Sequence, residues 1–97
     1  MKIPEKVKIG GLTYSVSFPD KLIMGRDFDG EVEFKDLEIR LKTQNKYMME
    51  QVLIHEVVHC LEQHIAENWS EELITKVANA LYMLITSPYM ALKSGVV

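Results

Sequence analysis

In the segment VLIHEVVHCLEQH, residues 52 to 64, two histidines stand four positions apart with a glutamate directly after the first. On a helix, positions i and i+4 lie one turn apart on one face, about 6 Å between Cβ atoms, so the imidazoles of His55 and His59 can meet on a single zinc ion. Glu56 is rotated by about 100° around the helix axis. It need not bind the ion. It is placed to hold a water there and accept its proton, the general-base role of a His-Glu-x-x-His pattern. Apolar Val52, Leu53 and Ile54 before the pattern, and Val57 and Val58 inside it, bury the helix and shield the histidines from bulk water.

A catalytic zinc takes three protein ligands and keeps a fourth position open, so a third donor is required. His64 has suitable chemistry but points about 180° from His55 on a continuous helix, and it reads as a surface residue at the helix end. Glu62 shares the histidine face one turn beyond His59, where it suits orienting an imidazole better than reaching the metal. Glu71 and Glu72 open the next helix, where acidic residues also complement the helix dipole. Of the two, Glu72 is the preferred third ligand, provided the helices cross steeply or the first ends early. Tyr14 and Tyr82 fall in apolar patterns and read as core, Cys60 as a small buried hydrophobe, and Met48 and Met49 as gap fillers.

The elements that position these residues follow from periodicity. KVKIGGLTYSVSF alternates on both sides of a Gly-Gly pair, the pattern of a hairpin with a tight glycine turn. PDKLIMGRDFDG is rich in turn residues and reads as a loop with a helical turn near Leu22 to Met24. EVEF and LEIRLK then alternate on either side of Lys35-Asp36 as two further antiparallel strands. After Thr43 the period becomes helical. Leu53, Val57 and Cys60 gather on one flank, Ile54, Val58, Leu61 and Ile65 on another, as in a helix wedged between a sheet and a second helix. The third side carries Met48, Gln51, His55, His59 and Glu62. The second helix starts at Ser70, a good N-cap, and ends at Pro88. The expectation is an α+β domain, a small antiparallel sheet of three to four strands followed by two packed helices, with residues 1–43 β-rich and 44–97 helical.

At 97 residues there is room for one domain, so a two-domain enzyme is excluded. Hydrophobic residues at 47% and charged residues at 26% fit a globular protein with no membrane span. The N-terminal MKIPEKVKIGG reads as the lead into a strand rather than a signal peptide, and the single cysteine fits a reducing compartment, so a cytoplasmic location is expected. A net charge of −3 with thinly spread Lys and Arg argues against nucleic acid as partner.

LIHEVVHCLEQH followed by SEELITKVANALYMLI resembles the small phage and prophage His-Glu-x-x-His proteins akin to the ImmA/IrrE and SprT-like zinc metallopeptidases, a minimal gluzincin pattern. In that class a short sheet precedes the motif helix and an acidic residue on the next helix completes the site. IGGLTYSV and GEVEFKDLEIRL match the kind of strands that come first, so the resemblance spans nearly the whole chain, although only His-Glu-x-x-His is a sharp motif. It implies a zincin-like fold, Zn2+ as cofactor, His55 and His59 as ligands, Glu56 as the catalytic glutamate and Glu72 as third ligand. VANALY departs from the ImmA-type pattern, lacking a glutamate directly before Ala78-Asn79. The functional expectation is a zinc-dependent peptidase acting on a peptide or protein, such as a phage or host regulatory protein, laid along an edge strand for which LEIRL is the candidate. The alternative is a non-catalytic phage-encoded binding or assembly module that retains the zinc site.

Overall fold

The computed structural model describes residues 2–25 and 28–86. Strand β1 (Lys6–Ile9) turns through Gly10 and Gly11 into β2 (Leu12–Ser17), with Ile9 opposite Leu12. Both glycines have positive φ, 57° and 86°, as a two-residue hairpin turn matched to the strand twist requires. A long connection leads to β3 (Gly30–Glu33), which pairs antiparallel with β4 (Glu38–Leu41). Helices α1 (Lys46–His64) and α2 (Glu71–Thr86) follow. The architecture is α+β, a four-stranded sheet and two packed helices. The proposed helix stop at Pro88 lies outside the described residues.

The sheet is mixed, in the order β1-β2-β4-β3, with β2 parallel to β4 (Val16 opposite Ile39). Two hairpins are present as expected, but they do not join in chain order. The connection after Ser17 carries the chain past the position beside β2, and the second hairpin returns β4 to fill it; a parallel neighbour needs such a long crossover. This corrects the reading of LEIRL as an edge strand, since β4 is enclosed on both sides and the edges are β1 and β3.

Helix α1 is capped by Asn45, whose side chain accepts the Met48 amide at 2.9 Å. Its two apolar flanks divide as the periodicity predicts. Leu53 and Cys60, with Val57, pack on Ile9, Tyr14, Ile39 and Leu41 of the sheet. Ile54 and Val58 pack on Ile74, Ala78 and Tyr82 of α2. Leu61 and Ile65 remain exposed. Each fully buried aliphatic side chain contributes about 1.5–3 kcal/mol, so the sheet and α2 hold α1 firmly from two directions. Tyr14 and Tyr82 are core residues, the latter donating to Glu50 Oε1 at 2.9 Å. Among the described residues no helix is long and apolar enough to cross a membrane.

Candidate metal centre

With two flanks of α1 covered, its third side forms one wall of a cleft of about 620 Å³, on which Met48, Val52, His55 and His59 follow one another turn by turn. The His55 and His59 rings stand 5.0 Å apart and both are partly buried. Glu71 closes the group from α2, its Oε1 2.6 Å from His55 Nε2 and its Oε2 3.2 Å from His59 Nε2. One ligand atom from each of the three residues lies within 4.8 Å of the others.

The acidic residue brought to the histidines is therefore Glu71, and the expectation for Glu72 is not met. Helix α2 packs on α1 through Ile74, Ala78 and Tyr82, and Glu71 sits one turn before Ile74 on that same stripe. Glu72 is rotated about 100° away and pairs with Lys76 at 3.2 Å on the exposed side. The start of α2 is fixed to the end of α1 by two polar contacts. Ser70 Oγ accepts the Leu73 amide at 3.2 Å as N-cap, and Glu62 accepts the Trp69 amide with Oε2. Glu62 Oε1 lies 3.5 Å from His59 Nδ1, leaving Nε2 of that ring to face Glu71. That is the arrangement in which a carboxylate orients a ligating histidine. His64 lies apart, its Nε2 3.3 Å from the Tyr14 hydroxyl.

Glu56 is 6% exposed, and burial pushes its carboxyl up to about 7, with His59 pulling it down and Glu71 and Glu31 adding to the rise. Strand β3 runs close beside it. A Cβ on Gly30 would stand 2.5 Å from Val52 Cγ1 and 3.4 Å from Glu56 Cγ, so only glycine permits this approach. Because Asp29 accepts the Lys42 amide at 2.8 Å, strand alternation turns the backbone groups of Gly30 and Val32 away from β4, toward the free edge.

A second buried carboxylate went unread in the sequence. Glu31 is 4% exposed and accepts the amides of Ile23 at 3.1 Å and Met24 at 2.9 Å, together with Arg40 Nη1 at 2.9 Å. Burial alone would raise its carboxyl, but the two amides and the guanidinium outweigh it and hold it below the ordinary value. The available signal was the alternation of EVEF, which places Glu31 opposite Arg40 once the hairpin register is known.

Two imidazole nitrogens and one carboxylate are a donor set that catalytic zinc uses, and the three groups lie near enough for one ion to be held between them, His55 Nε2 and Glu71 Oε1 standing in direct contact at 2.6 Å. Fold and site together define an α+β domain with a His-His-Glu group that can hold a divalent cation. Comparison with protein-family models, with curated proteins and with solved structures finds no match for this chain.

Proposed function

We propose that the protein is a zinc-dependent peptidase in which His55, His59 and Glu71 hold the ion and Glu56 is the general base. The observation that carries this reading is the coincidence, in one cleft, of a three-donor group, a buried carboxylate beside it and a free strand edge alongside. A bound zinc ion supplies Lewis acidity, to a peptide carbonyl and to a water alike. Glu56 takes the proton of the attacking water on its carboxylate and delivers it to the amide nitrogen that leaves. Glu62, 3.5 Å from His59 Nδ1, faces that ring from the side away from Glu71, and the packing of Ile54 and Val58 on α2 keeps the two histidines one turn apart opposite Glu71. An extended substrate pairs its backbone with the outward groups of Gly30 and Val32 on β3, in place of the β4 edge first considered.

The test has two parts. Elemental analysis of the purified protein finds close to one zinc per chain, and a peptide library is cut by the zinc-loaded wild type but not by Glu56→Gln. A zinc-binding protein that cuts nothing across a broad library would instead support a binding module, and a protein that takes up no zinc would remove both readings.

A further inference from the structure

The histidine group occupies only one end of the cleft. Beyond His55, toward the start of α1, large apolar groups enter the lining beside the polar Gln51 and Asp29: Met48 and Val52 from the helix, Val32 from β3, and Met24 and Phe28 from the connection between β2 and β3. Met24 and Phe28 are 57% and 43% exposed, large apolar groups held at the rim of the cleft although nothing in the core requires them. Their position is built. Leu22 to Gly25 forms a turn in which Gly25 donates to the Leu22 carbonyl at 3.2 Å and Phe28 to that of Gly25 at 3.3 Å, with Gly25 at a φ of 109°. The amides of Ile23 and Met24 at the crest of this turn end on the buried carboxylate of Glu31, which Arg40 fixes from the other side. A buried charged residue thus holds in place a loop that carries apolar side chains over a polar site. Methionine is unbranched and adapts to varied partners, and a phenylalanine beside two of them makes a pocket for a long or aromatic side chain.

We propose that Met24, Phe28, Met48 and Val52 form the specificity pocket of this site, taking a large apolar side chain next to the bond that is cut, and that Glu31 is the positioning residue that sets it. The proposal rests on the peptidase reading for the word "cut" but not for the pocket. The acidic groups around the cleft, Asp29, Glu56 and Glu71, further disfavour an acidic residue there.

Fluorescein-labelled peptides Gly-Ala-Xaa-Ala-Gly, with Xaa as Leu, Phe, Met, Ala, Asp or Lys, are titrated with zinc-loaded Glu56→Gln protein, which binds without cutting, and read by anisotropy. Leu, Phe and Met bind about tenfold more tightly than Ala or Asp, the discrimination one apolar pocket supplies. Adding Met24→Ser and Phe28→Ser, both at exposed positions, brings the ratio to within about twofold while zinc uptake and melting temperature stay unchanged. Glu31→Gln in the same background reduces the Leu-to-Ala ratio, whereas a merely structural loss would weaken all peptides alike. Equal binding of all six peptides, tighter binding of Lys through Asp29, absence of binding, or a preference that survives the double serine variant would each overturn the pocket. The two readings fail separately. Wild type that prefers Leu but never cuts leaves the pocket and removes the peptidase; cutting without preference does the reverse.

Discussion

Glu31 and Glu56 are two buried carboxylates, one on β3 and one on the α1 turn that packs against it, and they have opposite characters. Exposure barely separates them, at 4% and 6%. Glu31 accepts two backbone amides and a guanidinium, and its carboxyl is held low. For Glu56, burial dominates, no hydrogen bond among the described residues offsets it, and its carboxyl rises to about 7. Burial makes a carboxylate costly in both places; the partners decide whether it becomes a fixed anion that ties a loop down or a group able to exchange a proton. The first task suits the edge strand, whose loop must be held. The second suits a carboxylate beside a His-His-Glu group that can hold a divalent cation.

The largest expected effect breaks this comparison on the chemical side. Glu56→Gln keeps the shape and burial of the side chain but cannot accept a proton, so cleavage by the zinc-loaded protein falls by at least about 100-fold. Zinc stoichiometry stays near wild type, and the urea midpoint at pH 7 does not fall, since the neutral amide removes a buried carboxylate whose raised value makes its charged form costly there. A variant that retains most activity would return Glu56 to the status of a packed polar residue.

Glu31→Ala breaks the structural side. It leaves two amides without their acceptor and Arg40 with Glu38 as its remaining close partner at 2.7 Å, a loss of about 3 kcal/mol in urea unfolding. The sign of the pH dependence follows from the lowered carboxyl. Relative to the ordinary glutamate value of 4.5, its stabilisation is complete above that value and is lost as the pH falls through the lower folded value. Urea midpoints measured from pH 7 to pH 3 therefore drop more steeply below about 4.5 for wild type than for Glu31→Gln. Glu56→Gln leaves this acid limb intact.

A third test concerns the exposed carboxylate that faces both histidines. Glu71→Gln removes a charged donor and lowers zinc affinity by about tenfold or more, as read by competition with a chelator. Glu72→Gln changes it by less than about twofold, because Glu72 faces Lys76. Equal effects, or the reverse order, would remove Glu71 from the ligand set.

This last contrast shows where the sequence was legible. The flanks of α1 could be read because two apolar stripes around a His-Glu-x-x-His turn leave one non-apolar side, and that side lines the cleft. The stripe of α2 was harder. Its apolar residues Leu73, Ile74, Val77, Leu81, Leu84 and Ile85 spread around much of the helix, yet Leu73, Leu84 and Ile85 are exposed, and contact with α1 runs through Ile74, Ala78 and Tyr82. An alanine and a tyrosine carry less hydrophobic signal than the leucines beside them, so periodicity did not resolve which stripe faces α1 and left Glu71 and Glu72 both open at the start of α2. The mixed sheet was illegible for another reason. Each hairpin is encoded locally, in Gly10-Gly11 and in the alternation of β3 and β4, but their parallel junction joins β2 to a strand that follows a long connection. Glu31 could not be found without the β3–β4 register that sets it opposite Arg40 and the turn that brings the Ile23 and Met24 amides to it.

Gly30 lies between the two carboxylates and gives the smallest but most discriminating test. In Gly30→Ala the new methyl would meet Val52 Cγ1 at 2.5 Å, and a β-branched side chain on a helix has little freedom to turn aside. Strand β3 must move off α1, at about 1 kcal/mol for a single added methyl. Water then reaches Glu56, whose environment depends on that contact, while Glu31 on the other face of the strand keeps its amides and Arg40. Activity should fall with the urea midpoint, and the acid limb of the stability profile should not change. Adding Val52→Ala makes room for the methyl, so the double variant should recover both midpoint and activity relative to the sum of the single changes. Additive losses would mean that the β3–α1 approach does not control the site, and that the opposite characters of the two carboxylates arise independently.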